Sequence, residues 1–452
     1  MKVLLVVIAF FGLYVILNFG RVATKRLNQI YLKHAWKRTL GVLLLFQLEA
    51  ILIFWLSRRL AVEPRQFFYI VAFGQLLATI LIYISTKTNI KTASLAASQS
   101  DNPQSQMPAV TVCIPARNET ADLEECLNSL LESTFQKLEI LVLDDSSQTR
   151  RTPEIIRSFA HEGVRFLAGR TPPSSWLPKN YAYDQMAVEA NGDILLFCGV
   201  DCRFEPQTIS NLVELALAEK TTMISLLPKN VYQGTPNLRK YLAQPIRYCW
   251  ELALPRRYFR RPPVLSTCWM IQKDSLKKYG GFDSVKRKAV PESYFAQVMA
   301  KERSYKFVIS SDSLGLTSHK TYAEQKATAI RNRYPQLHRR PENVALMSFI
   351  EIVILIGPVF LLLGSFISGE LLLGLIGLTS ASINCLNYKI VTDLTYRQNN
   401  LTGFFMQPVA AIYDIFLLNF SMWQYEFGLV EWKGRDISKP IIEVIPNLPK
   451  LD

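Results

Sequence analysis

The apolar residues of this 452-residue chain are gathered at its two ends. Val3 to Phe19, Gly41 to Leu56 and Phe67 to Ile84 precede a polar middle, and Leu346 to Ile367, Leu371 to Ile390 and Gly403 to Trp423 follow it. A helix needs about 20 apolar residues to cross a bilayer, and each run approaches that length. The overall hydrophobic content of 49% is ordinary for a soluble protein, so it is the segregation that assigns the chain to multi-pass membrane proteins. The expected layout is three transmembrane helices in residues 1–85, a polar linker at 86–107, an α/β domain at 108–340, two or three transmembrane helices at 341–423 and a tail at 424–452. The first run has only Lys2 before it and no small-residue cleavage site, so it reads as an uncleaved anchor.

Formal net charge is +14. The basic residues are not gathered on one domain, which argues against nucleic acid as the partner. Arg21, Lys25, Arg26, Lys33, Lys37 and Arg38 fill the first loop, which the positive-inside rule assigns to the cytoplasm. Two further crossings return the chain there, so the central domain is expected to be cytoplasmic, with much of the basic excess facing anionic headgroups. The seven cysteines are odd in number and scattered, and read as reduced thiols.

The middle alternates between short apolar runs and helical spacing. Strands are expected at Ala109 to Ile114, Leu138 to Leu143, Val164 to Leu167 and Asp193 to Phe197. Helices are expected between them, the first with Leu123, Leu127, Leu130 and Leu131 on one face and Thr120 as its N-cap. Such alternation predicts a parallel sheet with helices on its faces, and such sheets bind ligands at the carboxyl ends of their strands.

Polar groups stand at those ends. Pro115-Ala-Arg117-Asn118-Glu119 follows the first strand, with Asn118 suited to a left-handed turn. Asp144 and Asp145 end the second; paired carboxylates there suit a base, a ribose or a metal, and equally a helix cap or a solvated turn. Lys179, in Trp176-Leu-Pro-Lys-Asn180, opens a helix, where an ammonium beside a phosphate crevice can pair with a diphosphate; alone it is a surface lysine. Asp201 follows the fourth strand and can give a divalent cation its hard carboxylate, or cap the next helix. Cys198 and Cys202 flank it without a second pair. Glu292, after Pro291, opens a helix as a base or as a first-turn acid. Arg333, in Arg331-Asn-Arg-Tyr334, can hold an anion or belong to a basic belt at the headgroups.

As a set, these motifs over residues 108–340 resemble the family-2 glycosyltransferases. Trp432-Lys-Gly-Arg435 in the tail is similar to a sequence in lipid-directed members, among them those near ceramide glucosyltransferase and the hopanoid- and carotenoid-associated transferases. The resemblance implies a GT-A (Rossmann-like) α/β catalytic domain flanked by membrane helices. It implies transfer, with inversion, of a sugar from a nucleoside diphosphate donor, UDP-linked by expectation, to a lipid or membrane-associated acceptor. In that scheme Pro115, Arg117, Glu119, Asp144 and Asp145 bind the nucleoside end and Lys179 the diphosphate. Asp201 holds Mg²⁺ or Mn²⁺, Glu292 deprotonates the acceptor and Arg333 stabilises the leaving diphosphate. The chain departs from the family pattern at Pro178 (usually Gly), Gly199 (the first Asp of Asp-x-Asp), Pro291 (Glu) and Ile330 (Gln). A processive polysaccharide synthase and a catalytically degenerate nucleotide-sugar-binding protein are the alternatives. Three full C-terminal crossings would carry the tail away from a cytoplasmic site, so Gly403 to Trp423, with Gln407, Pro408 and Asp414, is the segment expected to re-enter or to lie in the interface.

Overall fold

The computed structural model describes residues 64–94, 107–232, 238–253, 262–312, 314–396 and 401–438. The expected spans at Val3 to Phe19 and Gly41 to Leu56 lie outside the described residues, as does Glu49, which would sit mid-span in the second. Helix α1 (Pro64–Ala93) carries the third apolar run and continues through residues 86–93, which composition assigns to the linker. Asn89 explains the extension: its side chain is buried and donates to the Leu252 carbonyl at 2.6 Å, so a polar residue serves as a helix contact.

Strands β1 (Val110–Ala116), β2 (Leu138–Asp144), β3 (Val164–Ala168) and β4 (Ile194–Cys198) fall where the apolar runs put them. Then follow β5 (Cys202–Phe204), β6 (Met223–Leu227), β7 (Lys229–Asn230), β8 (Cys268–Gln272), β9 (Tyr305–Ile309) and β10 (Leu316–Ser318). Seven of these form one sheet in the order β3-β2-β1-β4-β8-β6-β9. The first four run parallel, while β8 is antiparallel to both β4 and β6. A small sheet, β5-β10-β7, sits beside it. On one face, helix α2 (Ala121–Leu131) buries Leu123, Leu127 and Leu130 against Val112, Ile114 and Val142. Each such leucine contributes about 1.5–3 kcal/mol. Thr120 stands at the N-cap position without a side-chain cap bond. On the other face, helix α3 (Pro178–Glu189) packs Tyr183 and Met186 on an aromatic core. There Trp269 stacks on Phe197 at 4.6 Å between centroids.

Helices α4 (Gln244–Ala253), α5 (Glu292–Lys301) and α6 (Tyr322–Gln336) lead to the apolar layer. Helix α7 (Pro341–Glu351) passes through a π turn, Ile352–Ile356, into α8 (Gly357–Ser368), and α9 (Leu371–Tyr396) returns. Helix α10 (Thr402–Glu426) follows. Among the described residues, four helical stretches are long and apolar enough to cross a membrane: Arg65–Ala93, Pro341–Ser368, Leu371–Tyr396 and Thr402–Glu426.

Their contacts distinguish the last from the rest. The turn between α8 and α9 meets the start of α1, where Arg65 pairs with Glu370 at 2.9 Å and the Tyr69 hydroxyl donates to it. The opposite end of α9 reaches the α/β domain: the Tyr396 hydroxyl donates to the Lys240 carbonyl at 2.6 Å, and that of Tyr388 to the Tyr241 carbonyl. Helix α10 starts beside that same end, with Gly403 against Thr392. It then runs along α6. Tyr413 and Tyr322 share a hydroxyl hydrogen bond of 2.5 Å, Ser421 Oγ accepts from the Tyr334 backbone N–H at 3.1 Å, and the Tyr425 hydroxyl donates to the Arg331 carbonyl at 2.8 Å. Both ends of α10 therefore meet the α/β domain. Its exposed stripe is Phe405, Val409, Ile412 and Phe416, at helical spacing, while Ala410, Asp414, Leu417 and Ser421 on the opposite face are buried. After α10 the chain re-enters the domain as a hairpin, β11 (Glu431–Trp432) and β12 (Arg435–Asp436), with Gly434 at φ 78° in its turn.

Helix α6 begins with a capping box. Thr321 Oγ1 accepts from the Glu324 N–H, and Glu324 Oε2 accepts from the Thr321 N–H at 2.9 Å. Thr321→Ala is expected to cost about 1 kcal/mol. Thermal unfolding in detergent checks this, and an unchanged midpoint would show that the cap contributes nothing.

Candidate active site

A cavity of about 400 Å³ opens at the carboxyl ends of β1 and β4. Its walls include Pro115 and Glu119 from the loop after β1, Lys179 from the first turn of α3, and Gly199 and Asp201 from the turn after β4. Lys320, Thr328 and Arg331 complete it from the α6 side, and Tyr425, Trp432 and Lys433 from α10 and the tail.

The sequence fixes these positions locally. Asn118 takes φ 51°, the left-handed turn expected of it, and its Oδ1 accepts from the Gln148 N–H at 2.8 Å. That bond draws the loop after β1 against the loop after β2. Pro178 occupies the first turn of α3, where its missing N–H costs nothing, so the departure from glycine leaves Lys179 at the helix start. Burial, ahead of the opposing attraction of Glu292, lowers the Lys179 ammonium from the usual lysine range.

Pro115, Glu119, Lys179 and Asp201 therefore converge on one cavity. Three other expected nucleoside contacts lie beside it, under the tail hairpin. Asp145 is buried and its Oδ1 accepts from Arg435 at 2.7 Å, while its Oδ2 has no hydrogen-bond partner among the described residues. Burial raises the Asp145 carboxyl against the pull of Arg435 and Arg117. Arg117 donates from Nε to the Lys433 carbonyl at 3.0 Å and from Nη1 to the Asp145 carbonyl at 2.7 Å. Asp144 accepts from the hydroxyl and N–H of Ser147 within its own turn. Lys433 completes the docking through an ion pair with Glu119. The tail motif was legible in sequence, but its partners, roughly three hundred residues earlier in the chain, were not.

Glu292 is fully buried behind Lys179 and is not part of the cavity wall. Neither carboxylate oxygen has a hydrogen-bond partner among the described residues, and the Lys179 ammonium lies 3.9 Å from Oε2. Arg333 is corrected outright. It is buried between Glu351, at 3.4 Å, and Asp414, away from the cavity wall. Arg331, two residues earlier on the other side of the same helix, is the arginine that reaches the cavity. Residues two apart on a helix do not share a face. The resemblance of Arg333-Tyr334 to the family's Arg-Trp pair pointed to Arg333, and which side of the helix faces the cavity is a tertiary choice.

The divalent cation expected at Asp201 finds an incomplete set of ligands. Asp201 Oδ2 already accepts from Ser318 Oγ at 2.6 Å and lies 3.3 Å from the Lys320 ammonium. Gly199 supplies no second carboxylate, and the described residues contain no group of three His, Cys, Asp or Glu able to hold a metal. All seven cysteines are buried free thiols.

Comparison with known proteins agrees with this layout. Residues 111–280 match the family model described as Glycosyl transferase family 2, and the α/β domain is Rossmann-like. Glycosyltransferase AglE of Haloferax volcanii is 31% identical over 137 residues, covering 29% of this chain and 42% of that protein. The probable glycosyltransferase YdaM of Bacillus subtilis is 25% identical over 185 residues, covering 39% of this chain and 44% of that protein. The chain thus spans less than half the length of these curated relatives. The structure of mannosyltransferase PcManGT from Pyrobaculum calidifontis, in complex with GDP-Man and Mn²⁺, aligns over 77% of this chain and 97% of its own at 17% identity and a TM-score of 0.48.

Proposed function

We propose that this protein is a membrane-embedded glycosyltransferase that moves a sugar from a nucleoside diphosphate donor to a lipid acceptor with inversion. The observation that carries this reading is the cavity itself. One wall has a carboxylate, Glu119, at the nucleoside end and the Lys179 ammonium at the diphosphate end, where Arg331 faces it from α6. Its other wall is built by α6 and the end of α10, which lead straight into the apolar helices. An acceptor arriving from the bilayer would meet the donor at that junction. The UDP preference rests on the resemblance of the motifs alone, and GDP-linked donors belong in the same test.

In this reading α1, α7 with α8, and α9 cross the bilayer, and α10 lies flat at its cytoplasmic surface with its aromatic stripe in the lipid. That arrangement keeps the tail and the catalytic domain on one side. The tail's cations, Lys433 and Arg435, neutralise Glu119 and Asp145, so a donor base or ribose must compete with them for these carboxylates.

The full-length protein in detergent is expected to be stabilised by one class of nucleotide sugar, because a ligand that binds only the native state raises the unfolding midpoint. Incubation of that donor with membrane lipid extract should yield a glycolipid of single-sugar size. A high-molecular-weight polymer would favour a processive synthase. Binding without turnover would favour a degenerate binding protein.

A further inference from the structure

We propose that Lys320 takes the place of the divalent cation, so that the donor diphosphate is held by ammonium and guanidinium groups and transfer needs no metal. The inference deepens the function proposed above and rests on it. Asp201 is gripped by three consecutive residues at the end of the small sheet. Ser318 donates its hydroxyl to Oδ2, the His319 N–H donates to the Asp201 carbonyl at 2.8 Å, and Lys320 lies 3.3 Å from Oδ2. The Lys320 and Asp201 side chains are only 13% and 15% exposed, so the pair is not a fluctuating surface contact. Asp201 also leans into the space that a side chain at position 199 would need. A Cβ there would lie 2.5 Å from Asp201 Oδ1. The first carboxylate of an Asp-x-Asp pair is thus absent, and the second, Asp201, occupies its room.

A divalent cation bound to Asp201 would sit against an ammonium in a half-enclosed pocket, where repulsion between the two is strong. Mg²⁺ also requires a near-octahedral oxygen shell, and Asp201, the carboxylate it would bind, is already engaged by two other groups. The cationic alternative is in place. Lys320, Lys179 and Arg331 all line the cavity, and among the described residues the Arg331 side chain has only the neutral Thr328 hydroxyl as its hydrogen-bond partner, at 3.2 Å. During transfer the bond from the sugar C1 to the donor phosphate oxygen breaks, its electron pair leaving on that oxygen, while the acceptor oxygen bonds C1 and yields its proton to a base. The charge gained by the departing diphosphate is what fixed cations stabilise.

The test is calorimetric binding of UDP and of GDP to the full-length protein, with EDTA and with Mn²⁺, beside donor turnover under the same conditions. The expected result is equal affinity and equal turnover in both for whichever nucleotide binds. Lys320→Met should weaken binding in EDTA roughly 10–100-fold, the scale of one hydrogen bond to a charged group, and Lys320→Arg should restore most of it. Binding or turnover that appears only with Mn²⁺ would overturn the inference while leaving the glycosyltransferase reading intact. Unchanged affinity in Lys320→Met would overturn the role of Lys320. No nucleotide binding in either condition would sink both readings.

Discussion

Glu292→Gln is expected to lower kcat for transfer by about 10²–10⁴-fold, the contribution of a positioned general base, while leaving donor affinity and the fold in place. Burying a carboxylate without hydrogen bonds is costly, and here its ion-pair partner is an ammonium 3.9 Å away. A glutamine of the same shape carries no charge to desolvate. The variant should therefore unfold at a higher temperature than the parent even as it loses activity, the trade expected where a site holds a group for chemistry at the expense of stability. Glu292 lies behind Lys179, so the donor diphosphate must first draw the lysine forward. Steady-state kinetics separates this from a purely positioning role. If Glu292 only orients Lys179, the donor KM rises and kcat holds. Full activity in the glutamine variant would remove Glu292 from the mechanism altogether.

Arg333→Ala is expected to be the most destabilising single change in the layer between the α/β domain and the apolar helices. Its guanidinium joins Glu351 of α7 to Asp414 of α10, and Trp250 Nε1 donates to the same Asp414 at 3.2 Å. Removing it leaves two buried carboxylates facing each other, a loss of about 3–5 kcal/mol for a broken buried pair. Little folded protein should survive extraction in detergent. The variant Arg333→Met combined with Glu351→Gln and Asp414→Asn, which removes all three charges together, should recover much of the stability. A stable Arg333→Ala protein with impaired kcat would instead revive the leaving-group role.

These two residues mark the boundary of what sequence could reveal. The first four strands were legible because each is a short, continuous apolar run closed by polar residues, and the site residues at their ends follow from chain direction. Pro115, Glu119, Lys179 and Asp201 needed no knowledge of distant contacts. Glu292 was legible as a residue but not as a buried one, because its surroundings, Lys179 among them, come from more than a hundred residues earlier. Strand β8 was not anticipated: Cys268 to Gln272 is too short to tell from a buried helical turn, and its insertion between β4 and β6 is a tertiary choice. The Ser318–Lys320 grip on Asp201 was invisible for the same reason, since β10 pairs with β5 across more than a hundred residues.

Helix α10 ties the cavity to the apolar helices around it. Its second half, from Tyr413 to Tyr425, lies against α6, and α6 supplies Thr328 and Arg331 to the cavity. In the arrangement proposed above α10 rests on the bilayer, and it would rise and sink with the headgroup plane as hydrocarbon thickness changes around the spanning helices. Lipid composition would then act as a dial on the diphosphate end of the pocket. Reconstitution in lipids of graded chain length should change donor affinity even though no lipid touches the nucleotide.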